Sequence, residues 1–399
     1  MSLGGIGEIG ANCYLYCCDG KWIMIDLGLA FADEKYPGID LLVPKLDFLD
    51  KLSNHLEAII ISHGHEDHAG AVAFFADKIH CPVYATGFAK SLIENRLKEF
   101  GKSDKVDLIT INPKKKITLN NFSIQFISTT HSIPEPYSII INTNYGKLLH
   151  TADWKIDSNP LLGDQFDSQA FKDLGNEGLL ALIGDSTNAD IPGFSKSESE
   201  VRKELVGVFS RYNQRIVTTC FSSNIARMES IAFAAKKNNR KVALVGRSMQ
   251  KTIEAAIKNG FIENLTNFIT EEEVSHIPRE NLVVICTGSQ GEPMGAMNRI
   301  ANYSHPDVFI EGGDAVVFSS KIIPGNEKKL YKLHNQLVKE GIEVISEESE
   351  YIHVSGHPNR EDLRDMYNWI KPKSVIPVHG EHRHMLEHIN FAKEMQVPH

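Results

Sequence analysis

The sequence predicts an α/β protein of two modules, a layered strand-rich module interrupted by a doubly wound module with a parallel sheet. Three observations carry this. Residues 3 to about 190 alternate short apolar strands with turns and helices, and acids or imidazoles sit just past the strand ends, where active-site groups of layered α/β folds collect. From about Ser197 the texture changes to regular strand–helix alternation, as expected for parallel strands joined by crossover helices. After about Ser355 the chain supplies one further helix and a strand that ends at His379. The second module therefore reads as an insertion, with residues 1–196 and 356–399 forming one domain and residues 197–355 the other.

In chain order, residues 22–25 form an apolar strand that ends at Asp26 and Gly28. Residues 56–62 read as a buried strand and residues 69–75 as the opening of a helix. A strand over 122–127 runs into Thr129-Thr130-His131. Residues 137–142 and 147–151 form a hairpin around Thr143-Asn144-Tyr145-Gly146, and its second arm delivers Asp153. A strand over 179–183 delivers Asp185. The helix over 197–211 opens with Ser197 as N-cap and Glu200 completing a capping box. Strands at 215–220, 241–245, 282–286 and 315–318, with helices at 224–238 and 249–259, make up the inserted sheet. A helix over 361–370 and a strand over 374–378 close the pattern.

Bulk composition is that of an ordinary globular protein: 399 residues, 42% hydrophobic and 23% charged. No uninterrupted apolar run reaches the ~18 residues of a membrane span, and Met1-Ser2-Leu3-Gly4-Gly5 lacks the basic and apolar regions of a secretory signal. Cys13, Cys17, Cys18, Cys81, Cys220 and Cys286 contain no Cys-x-x-Cys pair and read as reduced thiols of a cytoplasmic protein. The net charge of −9 argues against a broad basic surface that coats nucleic acid. It leaves room for a nucleic-acid enzyme whose metal ions supply positive charge locally. The basic runs 114–116 and 236–241 read as a solvated turn and a helix end.

The densest chemistry is His63-Gly64-His65-Glu66-Asp67-His68, between the strand at 56–62 and the segment at 69–75. Three imidazoles and a carboxylate within six residues, on a loop that can turn them to one point, are a metal site. Chemistry on phosphate usually uses two ions and six or seven ligands, one of them bridging. His131, Asp153 and His379 supply the shortfall, each placed at a strand end.

With these residues in place the chain resembles a known family. The stretch Gly4-Gly5-Ile6-Gly7-Glu8-Ile9-Gly10-Ala11-Asn12, Asp26, the His-x-His-x-Asp-His loop, His131 and Asp153 follow the metallo-β-lactamase superfamily in order. Asp185, His357 and His379 look like the added motifs of its β-CASP nuclease branch. Four further stretches narrow the likeness to bacterial ribonuclease J: residues 221–225, Gly246-Arg247-Ser248-Met249, residues 286–293 and residues 319–326. The match runs from residue 4 to about 385.

The resemblance implies an αββα metallo-β-lactamase sandwich with an inserted β-CASP domain, and two zinc ions per chain, replaceable by manganese or magnesium. It implies that His63, His65 and His131 hold one ion, that Asp67, His68 and His379 hold the other, and that Asp153 bridges. Asp26 would orient the ligand loop from behind. A water-derived nucleophile would attack the scissile phosphorus in line, and His357, oriented by Asp185, would protonate or stabilise the departing 3′ oxygen. Asp67 counts with His357 and Asp185 among the catalytic residues. Ser223, Asn224, His353, Val354, Ser355, Gly356 and His357 would contact the RNA. Their serine- and glycine-rich loops can cradle a terminal phosphate, which fits 5′-to-3′ exonuclease action on 5′-monophosphate ends beside internal cleavage. A His at position 379 is, in this branch, the mark of RNA rather than DNA substrates.

The partner so implied is single-stranded RNA, with no membrane. Relatives usually carry a C-terminal domain that supports oligomerisation, so homodimer and homotetramer both stand open. Relatives also usually carry a short strand before the glycine motif, where this chain begins, which reads as a fragment start. Ala152 stands where many relatives have glycine and looks like a minor change. Two other functions compete. A small-molecule metallo-hydrolase is disfavoured by the inserted module, and an inactive RNA-binding or assembly subunit by the presence of every expected ligand.

Overall fold

The computed structural model describes residues 1–32, 36–47, 49–52, 55–262, 268–323 and 325–399. The chain divides into two compact units. One comprises Met1–Ser158, Gly163–Ser195 and Gly356–His399, the other Asn159–Leu162 and Lys196–Ser355.

Two six-stranded sheets form the first unit. One runs Ser2–Gly4, Cys13–Cys18, Lys21–Ile25, Leu56–Ile60, Val83–Ala85, Leu108–Thr110. Its first three strands are antiparallel and the rest parallel. The other runs Ser374–Val378, Ala181–Asp185, Gly146–His150, Tyr137–Thr143, Ser123–Ser128, Ile117–Thr118. Here the first three are parallel and the others form an antiparallel meander.

Alternation along the strands stacks the layers. Ile23 and Ile25 share a core with Ile139, Ile141 and Ile183 from the second sheet, whereas Met24 faces Ala89, Ile93 and Leu97 of helix Gly87–Glu99. On the second sheet, Ile140, Leu149 and Leu182 face Phe171, Leu363, Met366 and Phe391 on helices Ser168–Glu177, Arg360–Ile370 and His382–Glu394. Both faces of each sheet are therefore covered, which is why strands such as Tyr137–Thr143 read as near-continuous apolar runs. The order is helices, sheet, sheet, helices: the expected αββα sandwich.

The second unit is an all-parallel sheet in the order Phe268–Ile269, Lys241–Val245, Leu282–Cys286, Ile216–Thr219, Ala315–Phe318, Glu343–Ile345. Val217, Val245, Val284 and Val316 on one face pack against Met297, Leu330, Leu333 and Leu337. Ile216–Thr219 and Ala315–Phe318 lie side by side, but their onward connections leave toward opposite edges of the sheet. That is the topological switch point, where open parallel sheets take their ligands.

Three sequence expectations need correction. Residues 69–75 do not open a helix: one helical turn, Glu66–Ala69, lies inside the ligand loop, and turns follow. Gly70 ends it, with no room for a side chain, since a Cβ there would lie 2.5 Å from the Glu66 carbonyl oxygen. The strand expected at 179–183 is Ala181–Asp185, so Asp185 is its last residue rather than lying two residues past its end. The short strand ahead of the glycine motif is present as Ser2–Gly4, paired with the strand Cys13–Cys18. The capping box at Ser197 and Glu200 is formed as expected. Pro324, within the motif at 319–326, lies outside the described residues.

Candidate metal centre

Backbone contacts hold the ligand loop before any side chain acts. The Asn12 N–H donates to the Asp67 carbonyl at 2.9 Å, Leu27 to His68 at 2.8 Å and Leu29 to Glu66 at 3.0 Å. Gly28 explains why the chain narrows here: a Cβ on it would stand 1.6 Å from the Asp67 carbonyl oxygen. The fold then brings all seven expected ligand residues together. His63, His65, His131 and Asp153 form one group and Asp67, His68, Asp153 and His379 another, each with donor atoms within 4.8 Å of one another. Asp153 belongs to both.

Outer partners fix the rings. His63 Nδ1 meets Ser62 Oγ at 3.0 Å, His68 Nδ1 meets Asp26 Oδ2 at 2.7 Å, and His131 Nδ1 meets the Gly356 carbonyl at 2.6 Å. His379 Nδ1 meets Thr187 Oγ1 at 2.9 Å. These contacts occupy Nδ1 and aim Nε2 inward. His65 is the exception, presenting Nδ1 at 3.1 Å from His63 Nε2 and 3.0 Å from His131 Nε2. Asp26 is fully buried and also accepts from the Ser62 backbone N–H at 2.7 Å and the Ser62 hydroxyl at 2.9 Å.

The donor set fits metal ions. Burial, and then neighbouring imidazoles, hold His63 and His131 well below the usual histidine range. Burial pushes His65 down to about 4. Their inward nitrogens are therefore lone pairs crowded against one another, an arrangement that a shared cation relieves. In the second group burial works the same way, but Asp153 and Asp67 outweigh it and hold His68 well above its ordinary value and His379 up at about 9. The buried Asp153 and the partly exposed Asp67 together demand positive charge at this point, which a divalent ion supplies as well as ring protons do. Burial alone would raise the Asp153 and Asp67 carboxyls, yet the facing imidazoles hold both well below the carboxylate range. Asp153 Oδ1 is buried without a hydrogen-bond partner, while His68 Nε2 and His379 Nε2 stand 3.2 and 3.3 Å from it.

His357 stands beside this centre, its Nδ1 2.8 Å from Asp185 Oδ2. Burial lowers its proton affinity, but Asp185 and then Asp153 outweigh that and raise it above the ordinary histidine value. Backbone strain gathers here as well. Asp26, Ala152 and His379 have φ of 60°, 51° and 52°, the left-handed region that Asp and His tolerate far better than Ala. Ala152 is therefore not a minor change: it occupies a position that favours glycine, next to the bridging candidate Asp153.

Sequence reasoning assigned no role to Thr187, Asn12 or Tyr14. The Thr187 hydroxyl donates to the His379 carbonyl at 3.0 Å, so it accepts from Nδ1–H and fixes the ring tautomer. Asn12 Nδ2 reaches Asp67 Oδ2 at 3.2 Å and His68 Nε2 at 3.0 Å, and its Oδ1 accepts from the Tyr14 hydroxyl at 2.8 Å. Asn12 closes the glycine-rich stretch already singled out and Thr187 lies two residues past Asp185, and that placement was the available signal.

Comparison with known proteins agrees with this geometry. The sequence matches family models described as "Metallo-beta-lactamase superfamily" over residues 6–181, "Ribonuclease J, beta-CASP domain" over 213–337, and "Zn-dependent metallo-hydrolase RNA specificity domain" over 341–398. It is 41% identical over 403 residues to Ribonuclease J of Sinorhizobium meliloti, covering all of this chain and 71% of that protein. The chain belongs to the ribonuclease J family. Ribonuclease J 1 of Streptococcus pyogenes is 39% identical, with 100% of this chain and 71% of that protein covered. Ribonuclease J2 of Bacillus subtilis is 36% identical, with 99% and 71% covered. A crystal structure of a protein of unknown function from Enterococcus faecalis superposes with a TM-score of 0.67 at 18% identity, covering 95% of this chain and 93% of that one. That likeness speaks for the fold alone.

The expected RNA contacts divide between the units. Gly356 and His357 belong to the first, and Ser223, Asn224, His353, Val354 and Ser355 to the second. Asn224 is the N-cap of helix Ile225–Lys237, its Oδ1 accepting from the Arg227 N–H at 2.9 Å, so its amide oxygen already has a structural task. Lys236 and Lys237 lie in the last turn of that helix, where a cation complements the helix dipole. All six cysteines are free and only Cys17 is exposed. Among the described residues no helix is long and apolar enough to cross a membrane.

Proposed function

We propose that the chain is a metal-dependent ribonuclease that hydrolyses RNA phosphodiesters at a two-zinc centre, from 5′-monophosphate ends and at internal sites. The observation that carries this is the pair of His/Asp groups sharing Asp153, with His357 beside them. His63, His65 and His131 would hold one ion, Asp67, His68 and His379 the other, and Asp153 both. When bound, two such ions neutralise charge on the phosphate and acidify water to near neutrality.

The chain's own groups do the rest. Asp185 accepts from His357 Nδ1–H, which fixes the ring, raises its proton affinity and leaves Nε2 to deliver a proton to the departing 3′ oxygen. Asp67 has a side chain 30% exposed where that of Asp153 is 2% exposed, so it is the carboxylate that incoming water and substrate reach. Ser223 and residues 353–355 of the second unit would form an end pocket for a terminal phosphate.

The test is cleavage of one RNA carrying either a 5′-monophosphate or a 5′-triphosphate. Directional digestion should favour the monophosphate, and internal cleavage should ignore the end. Equal directional rates on both ends would remove the end pocket from the account, and no cleavage of either would remove the ribonuclease reading.

A further inference from the structure

Arg227 is among the largest fully buried side chains, and none of the chemistry above uses it. Its guanidinium forks onto Glu198, Nε donating to Oε1 at 2.6 Å and Nη2 to Oε2 at 2.9 Å. On the other side Nη1 donates to the Ser319 carbonyl at 2.8 Å, to Ser319 Oγ at 3.0 Å and to the Ile352 carbonyl at 3.0 Å. The Ser319 hydroxyl donates to that same Ile352 carbonyl at 2.7 Å. The backbone N–H of Arg227 is the one that Asn224 caps. One residue thus ties three segments: the turn after strand Ile216–Thr219, the loop after strand Ala315–Phe318, and the strap that continues from Ile352 into His353-Val354-Ser355.

Stability alone does not account for this. A buried ion pair costs so much desolvation that apolar side chains of similar volume are often as stabilising or more so. A leucine at 227 would fill the space, but it would turn neither carbonyl to a fixed point. What the fork adds is position, and it adds it where two of the tied loops flank the switch point of the parallel sheet.

We propose that Arg227, oriented by Glu198, is the positioning residue for the RNA-strand pocket of the second unit, setting the spacing of the loops that receive a backbone phosphate. It touches no substrate and acts through Ser319 and the Ile352 carbonyl. The proposal rests on the ribonuclease reading, so its test needs one readout with RNA and one without.

Two variants of the full chain serve. Arg227→Lys keeps the charge and loses the fork, whereas Ser319→Ala removes only the bridging hydroxyl. Amide hydrogen exchange without RNA should quicken at 319–323 and 350–355 together in both. On 5′-monophosphorylated single-stranded RNA, KM should rise roughly 10–100-fold in Arg227→Lys and by a smaller factor in Ser319→Ala, with kcat and metal content near wild type. A lower melting temperature with unchanged KM would make the clamp purely structural, and a loss in kcat alone would also overturn the proposal. Should Arg227→Lys fail to fold, Ser319→Ala decides alone. Quickened exchange in both variants of a protein whose wild type cleaves no RNA would sink the ribonuclease reading while leaving the clamp in place.

Discussion

The metal centre of the first unit and the switch-point loops of the second are built on opposite plans. In the first, the functional groups are chemically conspicuous, and every ligand ring but that of His65 is aimed by a hydroxyl, a carboxylate or a carbonyl behind it. In the second, serines, an asparagine and backbone carbonyls hold the loops, and a single buried guanidinium orders them. The first plan spends residue types that packing rarely uses. The second uses ordinary turn residues such as Asn224, whose amide oxygen caps a helix.

If that contrast is right, substitutions in the first unit should act on metal and turnover, and those in the second on binding. Asp153→Ala should have the largest effect, lowering metal content and reducing RNA cleavage by roughly 10⁴-fold or more. Retention of both ions in that variant would undo the bridging role. His357→Ala should lose roughly 10²–10⁴-fold in turnover while keeping its metal, and loss of one metal equivalent would reassign it as a ligand. Thr187→Val should weaken metal affinity by roughly 10–100-fold in a chelator competition, and Thr187→Ser should restore most of it. An unchanged affinity in the valine variant would show that Gly5, whose carbonyl accepts from the His379 N–H, holds that ring unaided.

The second unit gives smaller and more separable effects. Ser223→Ala should reduce the preference for a 5′-monophosphate without changing the melting temperature. Asn224→Ala should in addition cost about 1 kcal/mol of stability through the lost cap, so Asn224→Ser, which keeps a capping oxygen, is the cleaner probe of RNA contact. The least effect sharpens the strain argument. Ala152→Gly should stabilise the chain by about 1 kcal/mol in chemical denaturation, because an alanine in the left-handed region carries a cost that glycine avoids. A loss of stability there would mean that the alanine methyl packs usefully.

The two plans also differ in how legible they are. Strand ends marked by Asp26, His131 and His379, and regular alternation beyond Ser197, were enough to anticipate a layered α/β module and an inserted parallel sheet, whereas the αββα sandwich and the family came from the resemblance of the motifs. Local rules failed where tertiary contacts decide. Apolar residues 69–75 mimic a helix, but Gly70 and the hydrogen bond from Ala71 to Leu27 turn the chain away. The left-handed backbone at Ala152 leaves no trace in composition or periodicity. Thr187 and Arg227 look like an ordinary hydroxyl and a helix-surface cation until the residues that meet them, 192 positions away at His379 and 125 at Ile352, are in place.

The central claim is a two-metal ribonuclease, and its most direct test is metal stoichiometry followed together with RNA cleavage. Chelator-stripped protein would be titrated with zinc while both bound metal and cleavage are read. The account predicts that cleavage appears only as the second equivalent binds, and that Asp67→Ala retains one tight ion and little activity. Full cleavage with a single bound ion, unaffected by Asp67→Ala, would contradict it.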